Sequence, residues 1–217
     1  MKVGDRISKR QSCRLEKRDD RVMDTPNETL FTAHASSGFA NLIQYNEYMM
    51  DERLVAIGYS DAGHRLEASY QAQPWDDVML LPFLFLWRQA IELQLKANIR
   101  DLATLRRRRG ETEDRLRSDI VDKRLQDPRQ VGHNLVKLIA EHDEHIVALG
   151  LQEIPADVIR TLELLAALDN AGTGFRYAGV LKAPSADLNF RSLAKSLDDA
   201  FRLLQVVIDA ATHGEGV

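Results

Sequence analysis

The stretch PFLFLWRQAIELQLK, residues 82–96, decides how this chain is read. It is apolar almost all round at its start and then takes on polar residues at a fixed interval. The pattern from Phe83 to Ile99 predicts a helix with so little polar surface that it belongs at the centre of a domain. Its polar residues Arg88, Glu92 and Lys96 recur every fourth position, which stacks them on one helix face. The apolar run from Met79 to Trp87 is nine residues long and bounded by Asp77 and Arg88. A bilayer needs ~20 apolar residues, so this run reads as a buried helix segment and not as a membrane span. Asp76 or Asp77 is the expected N-cap, and Pro82 fits only near a first turn.

Working outward, apolar residues recur at helical spacing on both sides. Upstream, Phe39, Leu42, Ile43, Met49, Met50 and Leu54, extended by Leu66 and Tyr70, predict one long bent helix or two short ones that end before Pro74. Downstream, Gly132-His133-Asn134 opens a helix with Leu135, Leu138, Ile139 and Ile146, bounded by Gly150 and Pro155. Asp157 to Leu168 predicts another. Asp187 or Asn189 starts the last, with Phe190, Leu193, Leu197, Phe201, Leu204 and Ile208 at near-heptad spacing. No segment alternates with the two-residue period of a strand, so the fold class is all-α. Residues 1–30 show no sustained period and read as an N-terminal arm. The helical domain is expected over 31–217, with a charged, solvated insertion at about 104–131.

The 217 residues carry a formal net charge of −4, which excludes a globally basic surface. The charge is uneven: +3 over 1–24, −5 over 25–99, +3 over 100–129 and −5 over 130–217. Local phosphate contact through the arm and the 100–129 segment, including Arg106 to Arg109, therefore stays open beside a purely solvated reading. A single cysteine, Cys13, excludes a disulfide framework and a cysteine-based zinc ribbon. The basic N-terminus lacks an apolar h-region, so no secretory signal is expected. With no membrane span, the expected setting is reducing and cytoplasmic. No Gly-x-Ser-x-Gly, His-Glu-x-x-His or P-loop pattern occurs. His142 and His145 share a helix face, but no third ligand is evident, so they read as solvated. The chain gives no sign of a bound metal or coenzyme.

Three blocks, Leu81 to Lys96, Gly132-His133-Asn134-Leu135, and Phe175-Arg176-Tyr177 after Leu168-Asp169, together resemble the HEPN superfamily. The resemblance implies an up-and-down bundle of four to five core helices that often pairs as a homodimer. It also implies metal-independent endoribonuclease activity in bacterial defence or toxin–antitoxin systems, or binding of RNA, a nucleotide or a protein partner. Nuclease members carry Arg, four to six residues, then His. None of the six histidines here has an arginine at that distance, and Arg129 precedes His133 by three intervening residues. The alternative is a non-catalytic dimerisation or partner-binding module.

Metal-free RNA cleavage needs a base for the 2′-hydroxyl proton, an acid for the leaving oxygen, and positive charge at the phosphorane. Histidine suits proton transfer near neutrality, and arginine suits phosphate. The candidate catalytic residues are His133 and Arg176, and the candidate ligand-binding residues are Arg88, Glu92, Lys96, Asn134 and Tyr177. Each has a structural alternative. Arg88, Glu92 and Lys96 line a polar cleft or interface, or form a salt-bridge ladder on a solvated face. His133 meets a phosphate at a helix start, or merely begins the helix. Arg176 belongs to a binding loop, or pairs with an acid such as Asp169 while Phe175 and Tyr177 anchor the loop.

Overall fold

The helix predicted from residues 82–96 runs further than its apolar core, from Leu80 to Arg108 over 29 residues. The computed structural model describes residues 51–177 and 188–213. These belong to the second of two units, Met1–Gln44 and Tyr45–Val217. The arm and the Phe39–Met50 part of the first expected helix lie outside the described residues. Six α-helices are described: α1 Glu52–Ser69, α2 Leu80–Arg108, α3 Ser118–Gln126, α4 Leu135–Leu149, α5 Ala156–Leu168 and α6 Phe190–His213. Short 3-10 turns cover Pro74–Met79, Asp114–Leu116 and Gly174–Arg176, and the described residues contain no strand. The fold is all-α.

Helix α2 is the axis of the unit, packing against α1, α3, α4 and α6, while α5 closes on α4 and α6. Phe83, Trp87, Ile91, Leu95 and Ile99 are fully buried along it. With the turn before it, α2 is long and apolar enough to cross a membrane by length and composition, and half of that apolar window is buried inside the fold. Pro82 sits at the third helical position, where its missing N–H breaks no intrahelical bond. Neither Asp76 nor Asp77 caps α2. Asp76 instead folds back, its Oδ2 accepting from the backbone N–H of Gln71 at 2.8 Å and of Gln73 at 3.0 Å.

Helix α1 meets α2 through small residues. Ala56, Ser60 and Gly63 are its buried positions, spaced four and three apart on one face. At Gly63 the approach is close enough that a Cβ would stand 2.8 Å from Trp87 Nε1. The aromatic rings of Phe83, Trp87, Phe190 and Phe201 complete this end of the core.

Two expectations are corrected. The 104–131 segment is charged but is not a solvated insertion: Leu105, Leu116, Val121, Leu125 and Val131 are all buried. Arg106, the first of the arginine run, is itself buried, bonded to Glu111 at 2.9 Å, with its Nη1 3.2 Å from His145 Nδ1. His142 and His145 are not on a solvated face either, being 1% and 3% exposed. Their face of α4 meets polar residues of α2. His142 Nε2 stands 3.3 Å from Asn98 Nδ2, and that amide donates to Leu204 O of α6 at 2.7 Å. Gln94 in turn donates to Asn98 Oδ1 at 2.8 Å.

Local signals set the other ends as expected. Asn134 caps α4 by accepting from Lys137 N at 2.9 Å, and Gly150 closes it with a left-handed φ of 63°. Asn189 accepts from Ser192 N at 3.0 Å at the start of α6.

Candidate functional site

The polar stripe of α2 is a buried network with one exposed member. Glu92 is 2% exposed and Arg88 is fully buried. Glu92 Oε2 accepts from Arg88 Nη1, while Oε1 accepts from Lys96 Nζ at 2.8 Å and stands 2.7 Å from His133 Nδ1. Lys96 is buried too, but the His133 side chain is 62% exposed. Burial alone would raise the Glu92 carboxyl. The ammonium of Lys96 and the guanidinium of Arg88 outweigh burial and hold it below the usual carboxylate range. Glu92 is therefore ionised at neutral pH.

An ionised Glu92 can only accept, so His133 Nδ1 carries the shared hydrogen and donates it. The neutral ring is then the tautomer whose Nε2 has a free lone pair, on the exposed side of the residue. This is the orientation a carboxylate imposes on a proton-transferring imidazole.

Arg88 is the strut behind this pair. Its Nε donates to Asp169 O at 2.9 Å, and its Nη2 donates to His133 O at 2.6 Å and to Asn170 O at 3.1 Å. One side chain thus ties the start of α4 to the loop that follows α5. Gly172, at φ 73°, lies flat on the guanidinium, and a Cβ there would be 2.9 Å from its central carbon. Asp169 does not pair with Arg176. Its carboxylate comes within 3.8 Å of Arg88 Nε and accepts from Thr173 N at 3.1 Å and Phe175 N at 3.3 Å, which shapes the loop.

The first three backbone N–H groups of α4 are already bonded within the fold. Leu135 N donates to Asn170 O at 3.0 Å, Val136 N to Asn170 Oδ1 at 3.0 Å and Lys137 N to Asn134 Oδ1 at 2.9 Å. Asn134 is thus a capping residue, and Asn170, which the sequence reading did not single out, is a second cap supplied from another loop. Its position between Asp169 and the glycines Gly172 and Gly174 is the available signal.

Arg176 and Tyr177 stand apart from the Glu92 network. Arg176 is exposed, with its guanidinium 5.6 Å from the ring centre of Phe85. Tyr177 is 67% exposed. Phe85, Arg88, Glu92 and Lys96 follow one another at helical intervals, so His133 and Arg176 lie along the same face of α2. From Phe85 to Glu92 the helix rises by about 10 Å. The two predicted catalytic residues therefore share a face without touching, whereas Arg88, Glu92, Lys96 and His133 come together. Among the described residues no group of three or more His, Cys, Asp and Glu side chains is placed to hold a metal ion. No protein-family profile, curated protein or solved structure matches the chain.

Proposed function

We propose that the chain is an HEPN-like protein that acts on RNA by metal-independent acid–base chemistry, with His133 as the proton-transfer group. The observation that carries this reading is the pairing of an exposed imidazole with a buried, ionised carboxylate, in which Nδ1 is engaged and Nε2 has no hydrogen-bond partner among the described residues. In the reaction, Nε2 removes the 2′-hydroxyl proton as that oxygen attacks the adjacent phosphorus. The bond from phosphorus to the 5′ oxygen breaks, leaving a 2′,3′-cyclic phosphate. The departing oxygen takes a proton from solvent or from the imidazolium so formed. Glu92 touches no substrate in this scheme and positions the ring. Arg88 and Lys96 are buried and both bond Glu92, so their part is to keep it ionised. Arg176, about two helical turns away, suits the grip of a neighbouring phosphate.

The test is incubation of labelled RNA with the full chain in the presence of a chelator. Wild type is expected to leave cyclic phosphate ends, and His133→Ala to lose on the order of 10²-fold or more of the rate. Arg176→Ala is expected to raise KM more than it lowers kcat. Absent cleavage, or cleavage unchanged in His133→Ala, would sink the catalytic assignment.

A second reading is a non-catalytic module that pairs with another copy or a protein partner. It is favoured by a groove of about 390 Å³ between α4 and α5, lined by Val136, Ile139, Ala140, Ile159 and Ala166, with Asp143 and Glu163 as its acids. A solution dimer that Ala140→Glu dissociates, in a protein that leaves RNA uncleaved, supports this second reading over the first.

A further inference from the structure

The turn before α2 holds a strained residue and displays a tryptophan. Ala72 has φ 59°, a left-handed conformation that costs a residue with a Cβ about 1 kcal/mol or more. The strain is held by Asp76, whose buried carboxylate bonds the backbone on both sides of Ala72, at Gln71 and Gln73. Pro74 then fixes the start of the 3-10 turn. What this rigid turn presents is Trp75, 69% exposed, with Val78 exposed beside it. Burying an indole is among the larger apolar gains open to a small fold, and this turn forgoes it.

Two other elements meet the same end of α2. On one side Arg176 lies over Phe85, followed by the exposed Tyr177. On the other the Phe190 ring lies 4.6 Å from Phe83 and 4.7 Å from Tyr70, which brings the start of α6, with exposed Leu188 and Arg191, beside it. Arg88, Arg106, Arg115 and Arg124 are each tied to a carboxylate. Among the described residues neither Arg176 nor Arg191 has such a partner. The turn itself carries two carboxylates, Asp76, buried and committed to the backbone of Gln71 and Gln73, and Asp77, which is exposed.

We propose that this end of α2 is a stacking platform for an unpaired nucleic-acid strand, with Trp75 and Tyr177 as base-stacking surfaces and Arg176 and Arg191 as phosphate grips. Exposed aromatic faces around one helix end, with arginines that have no carboxylate partner among the described residues, suit bases and phosphates, and a duplex, whose bases are already stacked, cannot use such faces. A protein partner would have to set carboxylates opposite both guanidinium groups, whereas a nucleic-acid strand carries a phosphate at every step. The proposal rests on the RNA reading above and adds where the strand is held and that it is single-stranded.

The chain has two tryptophans, and Trp87 is fully buried, so a ligand that quenches intrinsic fluorescence reports on Trp75. The full chain is titrated at low salt with an oligouridylate of about ten nucleotides and with an RNA duplex of the same length, within the usual range of single-strand site sizes. The expected result is quenching and at least about tenfold tighter binding by the single strand, with Trp75→Ala and Tyr177→Ala each weakening it by about 5- to 100-fold. Arg176→Ala or Arg191→Ala is expected to reduce the slope of log affinity against log salt by about 0.7 each. Equal binding of strand and duplex overturns the platform, as does unchanged affinity in both aromatic variants. A concentration-dependent dimer abolished by Trp75→Ala, without oligonucleotide binding, overturns it in favour of a protein contact. RNA cleavage that depends on His133 yet is indifferent to Trp75→Ala and Tyr177→Ala overturns the platform alone. Strand binding that depends on Trp75, with no cleavage by wild type, supports the platform and removes the catalytic reading instead.

Discussion

His133 Nδ1 lies 2.7 Å from Glu92 Oε1, which joins an exposed imidazole to a carboxylate buried in the core. The pair makes a tautomer prediction that does not depend on activity. Nitrogen NMR of the neutral His133 ring is expected to show hydrogen on Nδ1 and a lone pair on Nε2. In Glu92→Gln that preference is expected to weaken, because an amide imposes less on the ring than a carboxylate does. Wild type with the hydrogen on Nε2 would contradict the geometry.

Removing the carboxylate has a second consequence. Arg88 and Lys96 are left buried with their shared anion gone, and breaking a buried ion pair from one side costs about 3–5 kcal/mol. Glu92→Ala is expected to lose stability on that scale in urea unfolding, while Lys195→Ala, which removes an exposed ion pair with Asp199, changes it by less than ~1 kcal/mol.

Gly172 and Gly150 both have left-handed backbone but differ in what surrounds them. A Cβ at Gly150 meets open space, so Gly150→Ala is expected to cost only about 1–2 kcal/mol of backbone strain. At Gly172 the added carbon meets the Arg88 guanidinium at 2.9 Å, so Gly172→Ala adds displacement of the strut to the same strain. It is expected to be the more destabilising of the two and to shift the His133 ring signals, which Gly150→Ala leaves in place. Thermal unfolding and NMR read both effects.

Acid is expected to unfold the chain through α4. Burial, and the positive charge of a protonated His145, push His142 down to about 4. Burial and the Arg106 guanidinium push His145 down to about 4, against the opposing pull of Glu144. Both rings are thus neutral in the fold at pH 7, whereas in the unfolded chain they titrate near 6.5. Between those values the unfolded chain binds more protons, so stability falls as pH drops from about 6.5 towards 4 and shows no such dependence above that window. The fully developed loss is about 3 kcal/mol for one such histidine. Glu141, raised by burial, opposes the trend, and Glu92, held low, adds to it at more acidic pH. Urea midpoints from pH 7 to 4.5 should therefore slope in wild type and slope less steeply in His142→Asn, where His145 still contributes.

The contact between α1 and α2 is sensitive to a single carbon. Gly63→Ala places that carbon 2.8 Å from the Trp87 indole nitrogen, which is buried without a hydrogen-bond partner among the described residues. Overpacking of this kind costs about 1–3 kcal/mol, and Trp87 emission should shift with it. Gly58→Ala on the same helix meets nothing within 4 Å and is expected to be neutral or mildly stabilising.

Much of this architecture is carried by interactions within a few residues, and that part was legible. The helical period named α2 as the central helix and placed Arg88, Glu92 and Lys96 on one face. Asn134 is legible as a helix start, and Asn189 as one of two candidates beside Asp187, because a cap bonds an N–H two or three positions on. The run Glu141-His-Asp-Glu-His145 misled for the converse reason: its polarity suggests water, yet what lies opposite is set by Asn98, 44 positions before His142, and by Arg106, 39 before His145. In the same way the charged stretch hid Leu116 of the 3-10 turn and Val121 and Leu125 of α3, since a few buried apolar residues among charges acquire a period only when a core is there to receive them.

By itself the sequence determined an all-α chain organised around residues 82–96, with a polar stripe along an otherwise apolar helix. Local backbone physics suffices for that, because hydrogen bonds four residues apart and side chains three or four apart are all it needs. Only the tertiary structure decided that the stripe is buried and that its exposed end is His133. Burial and charge pairing depend on groups brought together from 41 to 82 positions away, the start of α4 and the Asp169–Gly172 loop closing on Arg88 and Glu92. A helical period specifies which residues share a face but carries no information about what that face will meet.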